Sequence, residues 1–578
     1  MTRVDGSVHH APISLESAGT PAGTNIPDLR GQNLFRLDAD AAPLFLLYLR
    51  DTLFAHLEPH LDRLGLLAGG HLDALAGTAD RNPPTLRTRS RTGQDATAVD
   101  KHPAYVEMER IAFSEFGLAA MSHVPGVLGW SEVMPPAAKY AITYLFAQAE
   151  FGLLCPVSMT DSLTRTLRRF GDPALVERFI GRLTTLDFDE LAQGAMFMTE
   201  QDAGSDIAAT STTAEPQPDG TWRLHGDKWF CSNAGAELAM VLARSGPEAG
   251  HRGISLFLLP KLRRDGQPND FRVLRLKDKL GTRSMASGEV RFDGAEAYLV
   301  GEAGRGFKQM ADMVNNSRLS NGVRAAGLMR RAVTEALYVA THRRAFGSRL
   351  IDLPLMRRQL AKMLTWAEQA RTMLFLTGEA LHGANAGDPT ALRLARIMTP
   401  LIKFRACRDA RRVTGDGMEV RGGCGYIEEW SEPRLLRDAH LGSIWEGTSN
   451  IVALDVLRAI RREDALPVLR AHVGALLDEA GLARDDRAAF DEAAGRAFAF
   501  AAAVAAQGED TLARQAASGL YHAVTAGGLA REARLAGLPH RLALARLVLQ
   551  HRLLPRDPLR RPEDGHLIDA VLRTEVAA

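Results

Sequence analysis

Trp445-Glu446-Gly447-Thr448-Ser449-Asn450 stands in the C-terminal third of the chain. A single carboxylate lies between an aromatic ring and a small, hydroxyl-bearing turn. An apolar neighbour strips water from a carboxyl group and raises its pKa toward the working pH, which turns a spectator anion into a proton acceptor. The string reads as a base held against a flat redox group. The chain around it has to supply both the pocket and the group.

At 578 residues the chain is long enough for two to four packing units with a large core. Its formal net charge of +1 gives no global case for a nucleic acid, membrane or acidic partner. The four cysteines, Cys155, Cys231, Cys407 and Cys424, form no Cys-x-x-Cys pair and have no His at zinc-ligand spacing. No metal is expected. Scattered cysteines suit a reducing compartment, and the opening Met1-Thr2-Arg3-Val4 lacks an apolar signal core, so the expected location is the cytoplasm. No run of about 18 apolar residues predicts a membrane span. The Ala-rich stretch 497–506 reads as a buried helix.

Five regions follow from the texture of the chain. Residues 1–40 begin as a Gly/Pro/Ser/Thr-rich arm. Residues 41–190 are mostly helical in pattern, with Phe45, Leu46, Leu49, Leu53 and Leu57 at amphipathic spacing. Within them, the polar stretch 80–103 reads as a long loop or extended excursion. Residues 191–300 carry short apolar runs divided by Gly, Asp, Pro and Asn, the pattern of a compact β-domain of six or more strands. Helical periodicity returns over 301–462 as a bundle of long helices, and 463–578 adds a helical extension.

Four further blocks carry chemistry. Met198-Thr199-Glu200 leads from a strand into a turn with Gly204 and Ser205; the glycine permits close backbone approach or a positive φ, and the hydroxyls can face a ring or a phosphate. Lys228-Trp229-Phe230-Cys231-Ser232 is a strand in which alternation puts Trp229 on the face opposite Phe230 and Ser232. Arg343-Arg344-Ala345-Phe346-Gly347 ends a long helix with a guanidinium fork suited to phosphate oxygens. Gly422-Gly423-Cys424-Gly425 lets a backbone approach a phosphate closely.

In this order the blocks resemble those of the acyl-CoA dehydrogenases. Leu154-Cys155-Pro156, Leu276 to Gly281 and Pro354-Leu355-Met356-Arg357 place the likeness in the AidB-like branch, which is linked to alkylation protection and DNA affinity. The resemblance implies a mainly α fold with a central β-domain, namely a helical N-domain, a β-barrel or sandwich, a C-terminal helical bundle and the extension. It implies FAD as cofactor and an acyl-CoA thioester as substrate. Glu446 would take the α-proton while its backbone N–H helps polarise the thioester. Met198, Thr199, Gly204, Ser205, Phe230, Ser232, Arg343, Phe346, Gly422, Gly423, Trp445, Thr448 and Asn450 would contact FAD, with Arg343 and the glycine loop serving a neighbouring subunit. Ser205 and Arg318 would contact substrate. A homo-oligomer, tetramer or dimer, and an electron-transferring flavoprotein as acceptor follow from the same likeness.

Some positions depart from the family pattern: Phe230 for Trp, Ser232 for Thr, Pro354 for Gln, Asn315 for Asp and Asn450 for Gln. Two alternatives stay open. One is a DNA-associated flavoprotein with vestigial dehydrogenase activity, for which Arg458, Arg541 and Arg552 are the candidate phosphate contacts. The stretch 531–561 holds eight Arg against Glu532 and Asp557. The other is an oxidase of the same fold. Nitroalkane oxidases resemble this family but use Asp as the base, so Glu446 argues for an acyl-CoA rather than a nitroalkane.

Overall fold

The computed structural model describes residues 24–559 and 561–577; most of the N-terminal arm lies outside them. Helices Ala41–Leu49, Asp51–Gly69 and His71–Arg81 open the described chain. Arg50, at φ 64°, breaks the amphipathic run into two helices. The polar stretch that follows forms an antiparallel hairpin, Thr85–Arg89 with Asp95–Asp100, rather than an irregular loop. Its Thr and Arg side chains are largely solvated, and among the described residues only Leu86 and Val99 rest on the β-domain, too few apolar residues to give a strand period. Helices Pro103–Arg110, Pro136–Phe146, Leu154–Phe170 and Pro173–Thr184 complete the N-terminal region.

The middle of the chain is one seven-stranded sheet among the described residues. Strand Ser287–Val300 pairs antiparallel with Trp222–Ser232, Ile254–Pro260 and Phe271–Leu276. Gly194–Phe197 runs parallel to Leu238–Arg244 and touches Ser232 through Met196, so the pairings close on themselves. Phe197, Leu224, Cys231, Val241, Phe257 and Val290 fill the interior. The short strand Thr213–Pro216 was not foreseen; its Pro and single buried alanine leave little signal.

Three long helices, Gly306–His342, Pro354–Asn385 and Pro389–Arg421, pack together as the bundle, with Glu432–Gly442 and Ser449–Glu463 against them. The extension adds Ala465–Ala480, Arg484–Gln507, Ala513–Leu535, His540–Val548 and Gly565–Ala577. The helix over 497–506 is buried on one face only: Ala497, Phe498, Ala501, Val504 and Ala505 are buried, and the alanines between them face solvent.

Arg541 overturns its expected role. It is fully buried, bridging Asp40 and Glu368 at 2.7 Å each and Glu532 at 2.7 Å. Arg371 joins the same network through Asp38 at 2.6 Å, and Tyr48 donates to Glu532 at 2.7 Å. Arg541 is therefore a cross-brace between the N-terminal segment, the bundle and the extension, and no phosphate backbone can reach it. The helical spacing that seemed to present it to solvent instead presents it to three carboxylates. Arg552 leans over Trp366 at the exposed rim of a cavity, and Arg458 stands on an open helix face, 56% exposed.

Removing one partner from a buried ionic network leaves the others uncompensated, which typically costs about 3–5 kcal/mol. Arg541→Met is expected to lower stability by that amount, read as a drop in the urea unfolding midpoint. A loss below about 1 kcal/mol, the range of an exposed pair, would contradict the cross-brace.

Candidate active site

Glu446 sits on a backbone that few side chains tolerate. Its φ is 58° and that of Gly447 is 98°, two successive residues in the left-handed region. Such a residue costs of order 1–3 kcal/mol unless its surroundings hold it. Here two buried cations do. Arg318 Nε donates to the Glu446 carbonyl at 2.9 Å, and Lys403 Nζ donates to the Gly447 carbonyl at 2.5 Å. Arg318 is fixed in turn by Asp455 at 2.7 Å, and Arg396 reaches the same carboxylate at 2.8 Å. The turn is thereby tied to the 306–342 helix by Arg318 and to the 389–421 helix by Lys403 and Arg396. Gly447 is required: a Cβ there would sit 3.2 Å from Ile451 and 3.4 Å from Arg318, at an unfavourable φ.

The Glu446 carboxyl is deep-set but reachable, and burial raises its pKa above the ordinary carboxylate value. Ser317, Lys403, Arg324 and Arg318 pull the other way by favouring the anion. Burial likewise lowers Lys403 to about 8, although Glu446 supports its charge. The Glu446 amide makes no hydrogen bond among the described residues, nor does the Ser317 hydroxyl beside the carboxyl find a firm partner.

Trp445 stacks on Phe151 with ring centroids 5.9 Å apart, and the buried Arg324 guanidinium lies 4.8 Å from the Trp445 ring. The Trp445 indole N–H is buried without a partner. Cys155, its thiol pushed up to about 11 by burial, sits within electrostatic reach of Arg324 and Glu446 and is approached by the Ser232 hydroxyl. The structure thus brings Ser232, Cys155, Arg324, Trp445 and Glu446 into one neighbourhood. Thr448 caps the 449–463 helix without using its hydroxyl, and Thr448 and Asn450 are exposed beside the base.

The 198–205 turn is anchored by Glu200, whose carboxylate accepts from Lys228 at 2.6 Å, Thr212 Oγ1 at 2.6 Å and Ser211 Oγ at 2.7 Å. Lys228 also donates to the Met198 carbonyl, and the Trp229 N–H to that of Thr199. Gly204 and Ser205 are exposed on this turn, and Gly204 does not use a positive φ. The adjoining strand departs from simple alternation. A bulge between Lys228 and Cys231 lets Trp229 and Phe230 both reach the surface side, their rings 6.4 Å apart with Lys277 over each. Trp229 is not opposite Phe230.

Arg343 and the glycine loop form a second, separate cluster. Arg343 Nη1 donates to the Arg421 carbonyl at 2.9 Å and lies beside Gly422, whose φ is 75°. Space around Gly423 is open. Phe346 is 94% exposed and Tyr426 80% exposed on this surface. Lys403 and Arg421 are 18 residues apart on one helix, so the glycine loop lies about 27 Å along the axis from the base, at about 1.5 Å per residue.

Arg324, Lys403, Ser317 and Asp455 were not singled out from sequence. Arg324 lies seven residues after Ser317 on the same helix face, and Lys403 interrupts the apolar run Pro400-Leu401-Ile402; a lone cation on a buried face was the available signal. Arg318, expected at the substrate, donates through Nε to the Glu446 carbonyl and through Nη1 to Asp455 and Asn315.

Residues 25–190 match the adaptive response protein AidB N-terminal domain, 195–295 the acyl-CoA dehydrogenase middle domain and 304–461 the acyl-CoA dehydrogenase C-terminal domain. The chain is 36% identical to a putative acyl-CoA dehydrogenase, AidB, of Escherichia coli over 67% of its own length and 71% of the relative's. It is 32% identical to acyl-CoA dehydrogenase family member 11 of Caenorhabditis elegans, over 71% of this chain and 68% of the relative. The solved structure of ACDH-11 of Caenorhabditis elegans, in complex with C11-CoA, aligns over 97% of this chain and 94% of its own with a TM-score of 0.82 at 26% identity. The extension therefore belongs to the likeness, and the chain is a member of the acyl-CoA dehydrogenase family, in its AidB-like branch.

Proposed function

We propose that this oxidoreductase removes two hydrogens from the α and β carbons of an acyl-CoA thioester, with Glu446 as the base and FAD as the cofactor. The observation that carries the reading is a desolvated carboxylate on a clamped left-handed turn with an unengaged amide at the same residue. When bound, FAD supplies the two-electron acceptor for the β-hydrogen. The exposed ring of Phe230, the hydroxyls of Thr199, Ser205 and Thr448 and the orphaned indole N–H of Trp445 suit a flat, hydrogen-bonding ring system. Gly422, Gly423 and Arg343 suit its phosphates.

The chain's own residues divide the work. Glu446 accepts the α-proton, and its N–H donates to the thioester oxygen as negative charge develops there. Phe151 and Trp445 keep bulk water from the carboxyl. Arg324, Lys403 and Arg318 keep Glu446 from protonating outright in a buried site. The 27 Å between base and glycine loop favours a cofactor shared between two copies of the chain, with Phe346 and Tyr426 in the contact. An electron-transferring flavoprotein is the proposed acceptor. The ligand of the C. elegans protein suggests acyl-CoA of medium length as a first substrate panel.

The AidB kinship favours a second reading, in which the same chemistry is slow and the flavoprotein has another main duty. Turnover with an artificial electron acceptor separates the two: a kcat near 1–10³ s⁻¹, the usual enzyme range, supports the first reading, and one far below it supports the second.

Glu446→Gln is expected to retain FAD and acyl-CoA binding while anaerobic flavin bleaching slows by at least 10²-fold; bleaching at the wild-type rate would remove Glu446 as the base. Because burial raises Glu446 above its ordinary value, bleaching should fall as pH drops through its raised pKa. Lys403→Met removes a charge that favours the anion, so that acid limb should move to higher pH; a limb that stays put would show that Lys403 does not act on the base.

A further inference from the structure

The Arg-rich stretch 531–561 is only partly explained by the buried brace at Arg541. Two of its residues, Arg552 and Arg556, line a cavity of about 270 Å³ between the 354–385 and 389–421 helices and the end of the extension. Arg358, Lys362 and Arg412 line it as well, and Trp366, 2% exposed, forms part of its wall. A single water needs about 10–15 Å³ on the same measure, so there is room for a molecule of many heavy atoms.

The charges in the cavity do not balance. Arg358 is paired with Asp564 at 2.7 Å, and Asp564 also meets His551 at 2.8 Å. Lys362 has only a loose contact with Asp416 at 3.6 Å. Arg412, Arg552 and Arg556 have no hydrogen-bonded carboxylate among the described residues. The acidic charge nearest Arg552, Asp409, is taken up by Arg405 at 2.5 Å. Burial, with Arg405, Arg412 and Arg556 repelling, pushes Arg552 below the usual guanidinium value despite Asp409. Arg552 and Lys362 lie 5.0 and 4.8 Å from the Trp366 ring centre, a contact that orients them without neutralising them.

Converging cations without counter-charge are what recognition of a phosphate group requires. We propose that this cavity binds a small phosphate-bearing anion, held by Arg412, Arg552 and Arg556. The three guanidinium groups stand exposed at the cavity rim, and a volume of about 270 Å³ suits a small molecule. The cavity shares no lining residue with the base site. Arg412 is nine residues from Lys403 on one helix, about 14 Å along its axis. Occupation would fasten the extension to the bundle.

The test is calorimetric titration of the FAD-loaded protein at 0.1 M salt with inorganic pyrophosphate, ADP and a 12-base-pair DNA duplex in separate runs. The expected result is one pyrophosphate or ADP per chain at micromolar affinity. Arg412→Ala/Arg552→Ala should weaken it at least tenfold and leave anaerobic flavin bleaching unchanged. Tighter binding of ADP than of pyrophosphate would assign the site to a nucleotide, and equal binding to the phosphate group alone. Affinity no better than millimolar, affinity unchanged in the double variant, or duplex binding that pyrophosphate does not displace would each overturn the proposal. A melting scan of the double variant guards against misfolding; as a second variant, Arg556→Ala, at the less structured rim, should weaken binding without a change in melting.

Discussion

Two cations hold the peptide carbonyls of Glu446 and Gly447, and the reactive half of the molecule is arranged around that clamp. A left-handed glutamate is unfavourable by about 1–3 kcal/mol. Hydrogen bonds to a charged donor contribute about 1.5–3 kcal/mol each, so Arg318 and Lys403 suffice to hold the turn. They do so from two different helices, which is why the long 306–342 and 389–421 helices must be packed in register before the base can take its position. Asp455 closes the circuit by pairing with both Arg318 and Arg396, so that the helix following the turn cannot drift from either neighbour.

The clamp also sets the chemistry. The cations that fix the backbone are the same ones that moderate the carboxyl. Burial alone would drive Glu446 toward the neutral acid, and three nearby positive charges alone would make it too weak a base. Their opposition leaves a carboxylate raised above its ordinary value yet able to ionise. Trp445 contributes apolar cover instead of charge, since its ring is occupied by Phe151 and Arg324. Elsewhere in the bundle the same device recurs for stability: Arg541 and Arg371 neutralise Asp38, Asp40, Glu368 and Glu532 where the N-terminal segment, bundle and extension meet.

Much of this was legible in the chain because its signals are local. The proposed base stands out by its neighbours, and the β-domain by short apolar runs between turn residues. The helical bundle was plain from long periodic stretches free of proline. What was not legible depends on long-range placement. Asp40 and Glu368, which converge on Arg541 with the nearby Glu532, lie 501 and 173 residues away, so an arginine at helical spacing read as a solvated face. The backbone clamp made by Arg318 was not legible because its partners, Asp455 and the Glu446 carbonyl, lie more than 120 residues away. Trp229 was misplaced because a one-residue bulge reverses every inference drawn from alternation. The stretch 80–103 could be read only as a loop or an extended excursion because, among the described residues, Leu86 and Val99 alone give its hairpin an apolar side.

The central claim is that Glu446 exchanges a proton with the carbon next to the thioester. Deuterium wash-in from D₂O, followed by NMR of a bound acyl-CoA under anaerobic conditions, reads that step apart from electron transfer. The account predicts α-hydrogen exchange in the wild-type protein and its loss in Glu446→Gln. Exchange continuing undiminished in the variant would contradict it.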